Sequence, residues 1–89
     1  MRKTDFNDVV NDGIVRGRQY IAVKIITEGN PAPEIIINPS ENFDQKIAYY
    51  NKAYDDNMEL ISAKEKGKSI KIEDVLITSN LNDLSWFVY

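Results

Sequence analysis

The chain contains no cysteine and no histidine. The first absence removes disulfides, thiolate metal sites and thiol nucleophiles together. The second removes imidazole ligands and the usual general base. Long apolar runs are missing as well. No aliphatic run exceeds three residues, as at Ile35-Ile36-Ile37, far short of the ~20 that a membrane helix needs. The basic start, Met1-Arg2-Lys3, has no apolar stretch behind it, so neither a signal peptide nor membrane association is expected. Positive charge is in deficit: 11 Lys and Arg stand against 14 Asp and Glu, a net charge of −3. Non-specific nucleic-acid binding, which needs a basic face for phosphates, is therefore not expected. With no thiol to protect, any compartment is chemically permitted, and a reducing cytoplasm is the expected one.

What is present is 43% hydrophobic and 28% charged, the composition of a globular chain. At 89 residues it reads as one domain, 1–89. Area scaling gives roughly 5,300 Å² folded against roughly 14,800 Å² unfolded, enough burial for one modest core.

The elements follow from spacing. Thr4 reads as an N-cap with Asp5 and Asp8 in the first turn. Phe6, Val9 and Val10 follow at helical spacing, and Gly13 reads as the stop. Gln19 to Thr27 is rich in β-branched residues and largely apolar on both parities, as in a central strand. A Gly- and Pro-bearing loop at 28–33 leads to a second strand, Glu34 to Ile37, in an antiparallel hairpin. Asn38-Pro39-Ser40-Glu41 has a capping residue, proline at N1 and glutamate at N3. A helix over 39–55 is predicted, with Phe43, Ile47, Tyr50 and Tyr54 in a stripe about 40° wide. Met58 to Ala63 reads as a third strand and Ser69 to Thr78 as a fourth, with a one-residue bulge near Glu73-Asp74 restoring Ile70, Ile72, Val75 and Ile77 to one face. The last ten residues fit a short helix capped by Ser79 or Asn80, or an extended segment. The expected fold is α+β, elements α-β-β-α-β-β plus a short C-terminal one. Its sheet would be four-stranded and mainly antiparallel, with the 39–55 helix on one face.

Glu34-Ile-Ile-Ile-Asn38-Pro39-Ser-Glu41-Asn42-Phe43, continued by Lys46-Ile-Ala-Tyr49-Tyr50-Asn-Lys52-Ala53-Tyr54-Asp55, resembles a segment of small phage and prophage proteins of Gram-positive bacteria. That group carries the pattern EIIINPxENxxxKxxYYxxAY, and the likeness spans roughly residues 20–72. The group has no assigned activity, so the resemblance implies a source, a mobile genetic element acting in a host cytoplasm, and no residue roles.

Candidate sites are few. Asp55-x-Asn57-x-Glu59 copies the first ligand positions of a calcium loop, but Leu60 and Lys66 stand where glycine and glutamate belong; a solvated helix end is the better reading. Asp44 and Lys46 have the spacing of a nuclease pair but lie about 160° apart on a helix. No metal, cofactor or catalytic residue is expected, and the chain reads as non-enzymatic. Lys64, Lys66 and Lys68 form a basic turn that suits a phosphate or merely keeps a hairpin soluble. Tyr49 lies off the core stripe. Trp86, Phe87 and Tyr89 crowd the C-terminus, either as a plug on the sheet or as a binding patch. The leading expectation is a protein-interaction module that inhibits or modulates a host defence or regulatory protein, with Tyr49, Asp55, Asp56, Glu59, Trp86 and Phe87 as interface candidates and a homo-oligomer as one arrangement. A small-ligand binder using the three lysines on a nucleotide, and a virion-associated structural protein, are the alternatives.

Overall fold

In the computed structural model, which describes residues 1–88, the chain is α+β with a three-stranded antiparallel sheet. The elements are α1 (Lys3–Val15), β1 (Tyr20–Thr27), β2 (Glu34–Pro39), a 3₁₀ turn (Ser40–Asn42), α2 (Phe43–Ala53), α3 (Ile61–Lys64), β3 (Ile70–Thr78), a second 3₁₀ turn (Leu81–Asp83) and α4 (Leu84–Phe87). The strand order is β2-β1-β3. The β-branched segment takes the central place, where both of its faces are buried: Ile21 through Ile25 are all buried.

The four-stranded sheet expected from sequence does not form. The apolar pattern predicts a strand over Met58 to Ala63, and only its start behaves as one. Leu60 donates its N–H to Ile70 O (2.7 Å) and Ile72 donates to Met58 O (2.9 Å). Glu59 forms an isolated bridge with Lys71, and Tyr54 one with Leu60. The chain then leaves the sheet edge at Leu60 and coils into α3. Apolar alternation over six residues could not distinguish a strand from a strand start followed by one helical turn, in which Ala63 is the buried position. The expected fourth strand becomes β3 and pairs with β1. Its register steps between Lys24 and Ile25, which pair with Asp74 and Ile72. Glu73 is the extra residue, so Ile72 and Val75 reach the same core.

The boundaries of two helices also move. Pro39 closes β2 opposite Tyr20 and does not open the helix. A proline favours an extended residue before it and is tolerated at the end of an edge strand, so Asn38-Pro39 serves the strand. Asn38 turns into the core face, 7% exposed, and its Nδ2 has no hydrogen-bond partner. The α-helix begins at Phe43 and ends at the extended cap Tyr54, short of the expected 39–55. In the first helix the stop is Gly17 and not Gly13, and the N-cap is Arg2 and not Thr4. Gly17 (φ 71°) donates to Ile14 O and Arg18 donates to Gly13 O, both at 3.0 Å, the paired bonds of a Schellman stop.

The core lies on one face of the sheet. Phe6 and Val10 of α1, Phe43, Tyr50 and Tyr54 at α2, and Met58 pack against Ile21, Val23, Ile25, Ile72 and Val75. Gly13 lets α1 close onto β3: a Cβ there would lie 2.2 Å from Ile77 Cγ2. The opposite face is covered in part by α4. The 3₁₀ turn before it is capped by Asn80, whose Oδ1 accepts from Asn82 N at 3.0 Å. Thr78 Oγ1 donates to Asp83 Oδ2 at 2.6 Å, fastening this segment to the end of β3. Among the described residues no helix is long and apolar enough to cross a membrane.

Candidate functional site

The Asp55–Glu59 segment is a self-contained turn. Asp55 N donates to Glu59 O (2.9 Å) and Met58 N to Asp55 O (2.9 Å). Asp55 Oδ1 accepts from the backbone N–H of Asn57 (2.9 Å) and of Glu59 (3.0 Å). Oδ2 accepts from Lys64 Nζ at 2.8 Å, and the same ammonium lies 3.7 Å from Glu59 Oε2. The hydrogen bond from Lys64, helped by those two backbone N–H groups, holds the Asp55 carboxyl below its ordinary value. Its partner Lys64 is raised, chiefly by the same bond. Both Asp55 oxygens are occupied by protein donors, so the trio that copies a calcium loop acts as the brace of a reversal. Met58 completes the turn at φ 58°, with its side chain fully buried.

Beside this turn stands a tyrosine cluster. The rings of Tyr49 and Tyr50 are 5.5 Å apart, Tyr50 and Tyr54 5.9 Å, Tyr49 and Tyr54 6.4 Å, and Phe6 meets Tyr50 at 5.7 Å. All four contacts are edge-to-face, the arrangement that ring quadrupoles favour. Burial, then the neighbouring phenols of Tyr54 and Tyr49, push Tyr50 up to about 12. Burial also raises Tyr54. The cluster is anchored from α1. Asn7 and Asn51 exchange reciprocal amide hydrogen bonds (2.8 and 3.0 Å), Lys3 Nζ donates to Asn51 O (2.8 Å), and Lys3 N donates to Asp56 O (2.8 Å).

Tyr49 is the member that faces out, 50% exposed, with Lys46 Nζ 5.9 Å from its ring centre. Together with Lys52 and Ala53 of α2 it forms one wall of a groove of about 450 Å³. The other wall is Ile61 and Ser62 of α3, with Glu65 just beyond. Ile61 is 40% exposed. The groove exists because the chain coils at Ile61 instead of continuing along the sheet. A strand over Met58 to Ala63 would have sent alternate side chains to opposite faces; the coil brings Ile61, Ser62 and Glu65 to one side.

The interface candidates therefore divide. Tyr49 lines the groove, and Asp55, Asp56 and Glu59 build the turn at the end of its α2 wall. Asp55 and Glu59 are engaged with Lys64, while the Asp56 side chain is exposed. Trp86 and Phe87 lie elsewhere. Phe87 is buried, with its ring centre 5.2 Å from Lys24 Nζ. Lys24 alternates along β1 with the core residues Val23 and Ile25, so Phe87 sits on the sheet's other face. Trp86 remains 59% exposed. Plug and patch are thus both present, one residue apart; Tyr89 lies outside the described residues. Of the three phosphate candidates, Lys64 is committed to Asp55 and Glu59, and Lys66 and Lys68 are exposed in the turn that follows α3. Ile61, Ser62 and Glu65 were missed as site residues, because only the coil at α3 sets them beside Tyr49; Lys52 was missed because, on α2 with Tyr49, it read only as a residue pointing away from the core stripe.

Compared with known proteins, the chain matches no family model, no curated protein and no solved structure.

Proposed function

We propose that the chain is a small, non-enzymatic binding protein of phage or prophage type, acting in the host cytoplasm by gripping a host protein through the Tyr49–Ile61 groove and thereby inhibiting or modulating it. The observation that carries this reading is the pairing of two half-exposed apolar side chains, Tyr49 and Ile61, across a groove of about 450 Å³. Aromatic anchors in such a recess dominate protein interfaces. Both walls have contacts that hold them in place without a partner: Tyr49 packs edge-to-face on Tyr50 and Tyr54, and α3 is linked through Lys64 to Asp55. A preformed site loses less freedom on binding. The resemblance of residues 20–72 to phage proteins supports the source.

The test is capture of a single partner from Gram-positive lysate by the immobilised protein. Retention should be lost in Tyr49→Ala with Ile61→Asp and kept in Trp86→Ala, all three folded by circular dichroism. Capture that survives the groove double variant, or no partner at all, sinks the reading.

A further inference from the structure

Lysine is distributed unevenly. Residues 46–71 carry six lysines against four acids (Asp55, Asp56, Glu59 and Glu65), whereas the rest of the chain carries five basic and ten acidic residues. The groove lies inside this locally basic stretch of an acidic protein. Its α2 wall is lined by Tyr49, Lys52 and Ala53; Lys46 stands at its rim, outside the lining, one turn before Tyr49 on the same helical stripe. Its α3 wall ends at Glu65. Among the described residues, Lys64 is the one lysine of the six held in an ion pair; neither Lys46 nor Lys52 is, and Glu65 is not. Lys46 meets the Tyr49 ring instead.

We infer that the groove takes an acidic linear peptide segment with one large apolar anchor, the anchor between Tyr49 and Ile61 and the acidic side chains over Lys46 and Lys52. The groove's volume suits an anchor of one or two side chains, not a folded domain's whole surface. Its polarity, cationic along α2 and anionic at Glu65, sets the direction in which the segment lies, because a reversed segment brings its acids onto Glu65. The inference rests on the reading of the groove as a protein-binding site and adds the chemistry of what binds.

The probe is a fluorescein-labelled decapeptide with a central Trp-Leu flanked by glutamates, followed by anisotropy. Controls replace the glutamates with lysines or the Trp-Leu pair with alanines. Binding of the acidic peptide should exceed that of the lysine peptide by about tenfold or more, and of the alanine peptide similarly. Lys46→Glu and Lys52→Glu, both at sites that leave the core untouched, should each weaken it about three- to tenfold, while Glu65→Lys should tighten it. Raising salt to 0.5 M should weaken it, since these charges are exposed. Equal binding of the acidic and lysine peptides, no effect of Lys52→Glu, or no binding at millimolar peptide overturns the inference. A captured partner that needs Tyr49 and Ile61 but is not displaced by the acidic peptide overturns it alone, leaving the binding function standing.

Discussion

Gly13 reads from sequence as a helix stop, and the structure gives it another task. Its bare backbone sits under Ile77, where an added Cβ would fall 2.2 Å from one side-chain carbon and 2.6 Å from Ile77 Cβ itself. Gly13→Ala improves helix propensity by about 1 kcal/mol, yet the clash with a strand-anchored branched carbon costs about 2–3 kcal/mol. A net loss of stability in urea is expected, and pairing the change with Ile77→Ala should recover part of it. Met58 is the reverse case, a large buried side chain on a left-handed backbone. Removing the side chain costs about 2–5 kcal/mol whichever small residue replaces it, but the left-handed conformation costs a non-glycine residue about 1 kcal/mol. Met58→Gly should therefore be the more stable of the pair Met58→Gly and Met58→Ala, the opposite of the order in a helix; denaturant midpoints decide it. Neither assignment was legible from spacing, since a glycine near a helix end suits both roles and nothing in the sequence marks a methionine for positive φ.

The turn from Asp55 to Glu59, braced by Lys64, is the element that sets the shape of the site. Its Asp55 carboxyl is lowered below the ordinary value, so the ionised form is favoured by folding. That stabilisation is complete above the ordinary carboxylate pKa of about 3.9 and is lost as pH falls through the depressed folded value. Asp55→Asn should flatten the acid limb of the stability curve, while Asp55→Ala, which also frees the N–H groups of Asn57 and Glu59, should cost about 1–2 kcal/mol at neutral pH. The strands of the first hairpin, the bulge at Glu73 and the core stripe of α2 were legible, because their side-chain periods are long enough to be unambiguous. Residues 58–63 were not: the apolar pattern is brief, and the turn that redirects the chain, closed by Asp55 on the N–H groups of Asn57 and Glu59 and by the positive φ of Met58, leaves no mark in side-chain spacing. The groove, and with it Ile61 and Glu65 as site residues, depended on that turn.

At the scale of the molecule, one face of a three-stranded sheet holds the core and the tyrosine cluster, and α4 covers part of the other. Tyr50 is pushed up to about 12 and Tyr54 is raised, so the unfolded chain releases phenolic protons first. Stability should be full below about pH 10, the ordinary tyrosine value, and fall as pH rises toward 12. Tyr50→Phe should reduce that slope; a slope unchanged by the substitution would place the shift elsewhere. Lys3, Asn7 and Asn51 tie α1 to α2 behind the groove, which makes the α2 wall part of the folded body. The proposed function puts the partner in this groove. Amide chemical shifts recorded while the captured partner is added test it most directly. Shifts concentrated at residues 46–53 and 61–65, with 81–88 undisturbed, are the predicted result; shifts centred on Trp86 and the α4 face, with the groove silent, would contradict it.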